Sequence, residues 1–313
     1  LDGDFENQVL PAFRAAGHEP ACLCGDAAAL RAAARLLPGA AAYADPETLF
    51  SKEGRLDFAL VRNAPERRFK TALRAMENRL HVLCETPFCF STTEFEKLRE
   101  EAAQNSLVLA AAQPWEHNPA WLALKKVLDG GLLGRLSWAE AQLLLPGPAP
   151  AGGITAASGW LAFSLLLGVV RLPPSALAAR LTPAPEPGGA PGDEAAAFQV
   201  HFGGADGFVH LSTGSHAARA RVCAAGDKGR AELDGNLLRL DIKDLPPETV
   251  SFHDGLAEAG PRPEWLAAEL AGFAGEIEKK VPAGSGLRNA RYCVKLLKNA
   301  YYSAAVRSAA VPL

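Results

Sequence analysis

The densest group of residues able to do chemistry is Gln113-Pro114-Trp115-Glu116-His117, which directly follows the apolar run Leu107 to Ala112. If that run is a strand of an open α/β sheet, the group lies at the carboxyl edge, where such sheets take their ligands. A Glu beside a His can serve as an acid/base pair. Adjacent residues on an extended segment point to opposite sides, however, so surface roles are the preferred reading for Glu116 and His117. His201, His210 and His216 lie on or near strands without metal-ligand spacing and read as structural. The six cysteines, Cys22, Cys24, Cys84, Cys89, Cys223 and Cys293, contain no CxxC pair. Buried strand cysteines are expected rather than zinc ligands or disulfides, and no metal is expected.

The elements that must position these groups alternate in the first third. Pro20 to Cys24, Asp57 to Val61, His81 to Cys84 and Leu107 to Ala112 read as strands. Between them, Asp26 caps an alanine-rich helix that ends at Pro38-Gly39, and Arg67 to Asn78 is helical. A third helix begins at Thr92 or Thr93, with Glu96 completing a capping box from Thr93. Strands and helices in this order predict a parallel sheet wound on both faces. The texture then changes. Asn118 to Leu128 is a helix stopped by Asp129-Gly130-Gly131, Leu136 to Leu145 is a strand, and Trp160 to Leu167 is an apolar helix. Antiparallel strands are expected at 177–181, 196–202, 207–212, 220–224 and 229–233, with a hairpin turn at Asp234-Gly235-Asn236 leading into Leu237 to Ile242. Helices at 263–279 and 286–308 close the chain. Pro183 to Gly192 is Pro/Gly-rich and expected to be a mobile loop. The fold class is therefore α/β: an N-terminal doubly wound parallel sheet over residues 1–118, and over 119–313 an α/β domain with a large, mostly antiparallel open sheet.

Composition narrows the function classes. The chain has 313 residues, 49% hydrophobic and 21% charged, which is enough for two globular domains. A formal charge of −3 gives no call for nucleic acid or an anionic membrane. The longest apolar run, Leu161 to Leu172, is broken by Ser164, Gly168 and Arg171 and is too short to span a bilayer. No signal peptide is visible, and a cytoplasmic location is expected. The numbering begins in what reads as the middle of a fold, which leaves room for a leader or a first strand ahead of Leu1.

Four segments, in order, resemble the Gfo/Idh/MocA (glucose-fructose oxidoreductase-like) family. They are His81-Val82-Leu83-Cys84-Glu85-Thr86-Pro87, similar to that family's HVLCEKP segment; Asn118-Pro119 followed by a helix and Gly130 to Leu136 (GGLLGRL); Ala225 to Ala231 (AGDKGRA), similar to a GTKG turn; and the C-terminal helix ending in Ala309 to Leu313. The resemblance implies a Rossmann domain, NAD or NADP as cofactor, a small-molecule substrate, and a homodimer or higher homo-oligomer formed through the C-terminal sheet.

It also implies which positions should carry the chemistry, and these are changed. Aligned on Leu10-Pro11, the family's GxGxxG glycines fall on Leu1, Gly3 and Glu6, so Gly3 alone survives in a loop bearing Asp2, Asp4, Phe5 and Glu6. One carboxylate about 5 Å from a phosphate charge costs roughly 3 kcal/mol at an effective dielectric near 20. Glu6 is also expected to intrude where the third glycine allows close helix–strand packing. Asp26 is placed to bind the adenosine ribose only if the preceding loop is longer than usual, and helix capping explains it without a cofactor. Arg62-Asn63-Ala64-Pro65 matches a turn beneath the cofactor. There Arg62 can hold a phosphate, although a solvated loop arginine is the default. The family's lysine position is Thr86, and its Asp and His positions are Ile154 and Ser158, none a useful base near neutral pH. The vestigial cofactor site is thus Gly3, Asp4, Phe5, Asp26, Asn63, Pro65, Glu85 and Gln113, and the substrate pocket Trp115, Glu116, His117 and Trp160 with Thr86. The preferred expectation is a catalytically degenerate member that binds NAD(P) weakly or not at all and acts as a ligand-binding or partner subunit. The alternative is an active NAD(P)-dependent oxidoreductase on a sugar or cyclitol-like substrate with relocated groups such as Glu116 and His117.

Overall fold

The computed structural model describes residues 4–183, 192–256, 262–280 and 286–313. Leu1, Asp2, Gly3 and nearly all of the Pro/Gly-rich stretch 183–192 lie outside them. The chain forms two compact units, one of residues 1–117 with 261–288, the other of 118–260 with 289–313.

In the first unit a π-helical turn, Phe5–Val9, runs into α1 (Leu10–Ala15). There follow β1 (Cys22–Cys24), α2 (Ala27–Leu36), β2 (Ala41–Tyr43), α3 (Pro46–Lys52), β3 (Phe58–Val61), α4 (Pro65–Glu77), β4 (His81–Glu85), α5 (Thr92–Gln104) and β5 (Leu109–Ala112). Every pairing is parallel, with β1 beside β2 and β4 between β3 and β5. Successive strand residues face opposite sides. Leu83 accordingly joins a core with Phe5, Val9, Leu10, Phe13 and Val108, while α4 packs on the other side of β3 and β4. The doubly wound parallel fold is as expected. The short pair β2 and α3 was not anticipated, since three residues of Ala-Ala-Tyr carry little strand pattern. Helix α5 begins at Thr92 as expected, but its cap is Ser91, two residues before the Thr93 of the expected capping box. Ser91 Oγ accepts the Glu94 N–H and Glu94 reaches back to the Phe90 N–H, so Thr93 and Glu96 form no capping box.

A further correction concerns the domain boundary. A cut at residue 118 alone assigns everything after it to the second domain. Instead α8 (Pro263–Glu278) packs against α1 in the first unit, because Leu266, Leu270 and Phe273 complete the apolar core around Phe5 and Phe13.

The second unit contains α6 (Pro119–Asp129), β6 (Leu136–Pro146), α7 (Gly153–Val170), β7 (Pro174–Pro183), β8 (Asp193–Phe202), β9 (Asp206–Ser215), β10 (Arg219–Gly226), β11 (Gly229–Asp234), β12 (Leu237–Ile242) and β13 (Glu248–Ser251), with α9 (Leu287–Ala305) and β14 (Val311–Pro312) after α8. Its nine strands make one sheet in the order β13-β12-β11-β10-β6-β9-β8-β7-β14, antiparallel throughout except for β6 beside β9. Helix α7 is longer than Trp160 to Leu167 and, at 18 residues, is long and apolar enough to cross a membrane, but 72% of it is buried inside this unit against the sheet. It is read here as a core helix.

Two family-like segments prove to be one device. Asp227 Oδ1 accepts the Arg135 N–H at 2.9 Å, so the 225–231 turn fastens the 130–136 turn. Gly134 adopts φ +68, and a Cβ there would lie 2.0 Å from Asp227 Oδ1. Cys84, Cys89, Cys223 and Cys293 are buried, but Cys22 is half-buried and Cys24 exposed, because β1 leaves its end open to solvent.

Candidate functional site

The carboxyl ends of β3, β4 and β5 bring several expected residues together. Each strand hands the chain to a polar loop: Arg62-Asn63 after β3, Glu85-Thr86 at the end of β4, and Gln113 after β5. Arg62 stands between two carboxylates, with Nε donating to Glu85 Oε1 at 2.5 Å and a guanidinium nitrogen paired with Asp4. Burial works against its charge, but Glu85 and Asp4 outweigh burial and hold Arg62 above the usual arginine range. Arg68, buried on α4, donates to the other Glu85 oxygen at 2.9 Å, to the Asn63 carbonyl at 2.8 Å and to the Thr86 carbonyl at 2.8 Å. One guanidinium thus ties the β3 and β4 loops in fixed positions. Arg68 was not singled out from the sequence, although it stands four residues before Ala72 on the apolar face of α4.

Asn63 donates to Thr71 Oγ1 at 2.7 Å, while its Oδ1 is buried without a hydrogen-bond partner. That acceptor is available to a ligand hydroxyl or amide. Thr86 is half-buried and precedes a cis peptide to Pro87. Pro65 opens α4 at its first position, where a missing N–H is harmless.

Several expected roles do not survive. Phe5 is 5% exposed in the apolar core and is not a cofactor contact. Glu6 points to solvent instead, so it does not intrude on helix–strand packing; the helical turn puts Phe5, not Glu6, toward the sheet. Asp26 caps α2, accepting the Ala29 N–H at 2.8 Å, and this bond holds its carboxyl below the ordinary aspartate range. The segment 114–117 is not extended but a 3-10 turn, Pro114–His117, in which Glu116 Oε1 accepts from Gln113 Nε2 at 3.1 Å. The argument that Glu116 and His117 must diverge therefore lapses. Trp160 is 1% exposed inside the second unit, on a helix packed between the sheet and α9, and is a core residue there.

On α7, Ile154 is fully buried and Ser158 half-buried. A carboxylate nevertheless reaches this helix from another part of the chain. Asp193, at the start of β8, accepts from the Thr155 hydroxyl at 2.5 Å and the Thr155 N–H at 3.2 Å. Both of these donors lie in the first turn, so Asp193 serves as a remote cap. A Cβ on Gly153 would lie 2.4 Å from the Asp193 nitrogen. The other residue missed from the sequence is Glu269 on α8. Burial, offset in part by the Gln113 N–H and reinforced by Glu116, pushes its carboxyl up to about 8. Among the described residues no group of three His, Cys, Asp or Glu is arranged to hold a metal.

Residues 3–113 match the model of an oxidoreductase family with an NAD-binding Rossmann fold, that of Gfo/Idh/MocA. No curated protein matches the chain. Among solved structures, an oxidoreductase domain protein from Kribbella flavida is similar at TM-score 0.84 and 19% identity, over 98% of this chain and 96% of that one. A levoglucosan dehydrogenase solved with NADH and L-sorbose is similar at TM-score 0.86 and 16% identity, over 99% and 96%. An oxidoreductase from Agrobacterium radiobacter, solved with NAD+, L-tartaric acid and magnesium, gives 0.83 and 17%, over 97% and 95%. The fold of the whole chain is that of these oxidoreductases, and residues 3–113 match the Gfo/Idh/MocA family model, as the motifs led us to expect.

Proposed function

We propose that this protein is a catalytically degenerate member of that family, a ligand-binding or partner subunit with little or no affinity for NAD(P). The observation that carries the reading is the Asp4–Arg62–Glu85–Arg68 network along the carboxyl edge of β3 and β4. A dinucleotide places its pyrophosphate at the first helix's N-terminus. Here that place presents the Asp4 carboxylate, already paired with Arg62. The ribose acid has no free counterpart, because Asp26 is engaged in capping α2. These residues do not fit the dinucleotide. What the edge offers instead is acceptors, chief among them the partnerless Asn63 Oδ1, which suits a small molecule rich in hydroxyl groups. The six cysteines, none of them in a disulfide among the described residues, fit a reducing compartment such as the cytoplasm.

Titration of NADH and NADPH by fluorescence or calorimetry tests the reading. No binding below millimolar concentration is expected. A low-micromolar dissociation constant, or dinucleotide carried through purification, overturns it. One observation favours a second reading, an active NAD(P)-dependent oxidoreductase on a sugar-like substrate. Relatives of this fold were solved with NADH and a sugar, and Glu116 sits on the turn after β5 with Gln113 as its hydrogen-bond partner. Dinucleotide-dependent turnover of any sugar or cyclitol that is lost in Glu116→Gln would decide for it.

We also propose a homodimer through the outward side of the nine-stranded sheet. Along β10, β11 and β12 that side is an ion-pair lattice in which Glu232 meets Arg221, Arg230 and Arg239. Trp138 and Phe208 lie beside one another on β6 and β9, with ring centroids 6.5 Å apart. A dimer mass at micromolar concentration in light scattering is expected, and a monomer refutes it.

A further inference from the structure

Glu269 holds a position that no cofactor or cap explains. Its helix, α8, packs on the 3-10 turn Pro114–His117 and on the N-terminal helix. Glu269 Oε1 accepts the Gln113 N–H at 2.7 Å. Oε2 is buried with no hydrogen-bond partner. An ionised carboxylate has about four lone-pair sites to satisfy, and this one is given a single donor.

The elements packed against it, and its own helix, carry the following charged groups. From the turn come Glu116 and His117; from the N-terminal helix, Glu6 and Arg14, both exposed; from its own helix, Glu264, Glu276 and Glu278. Among the described residues none forms an ion pair with Glu269. The Gln113 side chain passes the strain on, since its amide donates to Glu116 Oε1 while its backbone N–H serves Glu269. Two carboxyl groups are therefore tied to one residue at the end of β5. A buried carboxyl in this setting keeps its proton well above the usual range, because ionisation strands a charge without water and beside a like charge.

We propose that Glu269 is a proton-operated latch: protonated, it seats the turn Pro114–His117 on α8, and its ionisation releases that turn. The proton leaves to bulk water. The carboxylate left behind gains hydration of Oε2 only if the turn moves off the helix. Because the turn follows β5 at the ligand-taking edge, the placement of Trp115, Glu116 and His117 becomes dependent on pH.

Amide hydrogen exchange on the full chain, normalised for intrinsic rate, tests this at residues 113–117 from pH 5.5 to 9. The open form ionises as an ordinary glutamate and the closed form does so near 8, so opening is coupled to proton loss between those limits. Protection in the wild type should fall about tenfold per pH unit up to about pH 8, then level off. Glu269→Gln, which mimics the protonated state, should show constant protection across the range. Glu116→Gln removes the like charge and should move the levelling point to lower pH. Amides in β9 and β10 of the second unit serve as the internal reference and should not change. Flat protection in the wild type, the same slope in Glu269→Gln, or an unmoved levelling point in Glu116→Gln each overturns the proposal.

Discussion

Ser303 on α9 is fully buried, and its hydroxyl carries two bonds that hold the far edge of the large sheet. Strand β14 pairs with β7 through Val311 and Pro312 only. Ala179 lies further along β7, past the end of that pairing, where its N–H has no strand partner. Ser303 Oγ accepts this N–H at 2.9 Å and donates to the Ala309 carbonyl at 2.7 Å, standing in for the missing strand residue. Ser303→Ala removes both bonds. Each neutral bond is worth about 1 kcal/mol, and leaving the buried Ala179 N–H unsatisfied adds about 1–3 kcal/mol, for a loss of about 3–5 kcal/mol. Calorimetry on the transition of the second unit should show a drop of about 6–20 °C, at about 2–4 °C per kcal/mol for a unit of this size. Exchange protection should fall first at Ala179 and at Leu313, whose N–H bonds the Ser175 carbonyl. A melting change below about 1 °C with unaltered Ala179 protection would refute the assignment of this hydroxyl as a substitute strand contact.

Three other perturbations have calculable signs. Gly168→Ala puts a Cβ 2.8 Å from the rigid Trp121 ring, so overpacking of α6 against α7 should cost about 1–3 kcal/mol in urea unfolding. Because the Glu269 carboxyl is raised to about 8 in the folded protein from 4.5, its stability contribution is full below 4.5 and is lost as pH rises through 8. Relative to wild type, Glu269→Gln should therefore gain about 1 kcal/mol at pH 5 and about 3 kcal/mol at pH 7, and a gain independent of pH would contradict this. Ile154→Asp, the substitution that restores the family carboxylate, should lose at least 3 kcal/mol: it replaces a fully buried side chain with a charge at a helix end Asp193 already serves. A melting temperature within about 2 °C of wild type would show that this end of α7 tolerates the charge.

The sequence exposed four of the five parallel strands because each is a short apolar run before a polar loop, and it exposed the α2 cap because Asp26 is a local signal; Asn118, read as the start of its helix, is the cap of α6 by an equally local signal. Asn118 Oδ1 accepts from Ala120 and Trp121 at 2.8 and 3.0 Å, a geometry set within four residues. What escaped was long-range. The true start of α7 at Gly153 depends on a carboxylate contributed by Asp193, 38 residues later by hydrogen-bond separation, and nothing near Gly153 announces it. The assignment of α8 to the first unit escaped for the same reason, since an amphipathic stripe does not name the face it will cover. Glu269 was readable in part. It lies four residues after Trp265 and four before Phe273, on the buried stripe of α8. A carboxyl on such a stripe is a buried polar group in need of an account. Arg68 carried a similar signal on α4.

The fasteners of this fold and the positions of its family's chemistry are largely separate sets of residues, and they have different fates here. Asp26, Ser91, Asn118, Asp193, Asp227 and Ser303 each satisfy a backbone donor that the fold leaves open. None of them needs a cofactor to be useful, and each holds an element in place whether or not a reaction takes place nearby. The positions that would move a proton are Thr86, Ile154 and Ser158. At Ile154 the change favours the fold, because an apolar side chain in a fully buried site removes the desolvation cost a carboxylate would bear there. Arg62 shows the same trend at the cofactor edge, where opposing carboxylates are neutralised by the chain's own guanidinium. On the proposed reading, a site whose charges are settled internally has little electrostatic free energy left to offer a pyrophosphate, while the orphaned acceptor of Asn63 still has some to offer a hydroxyl. On the same reading, retention of the fold alongside loss of the reaction follows from which bonds each depends on.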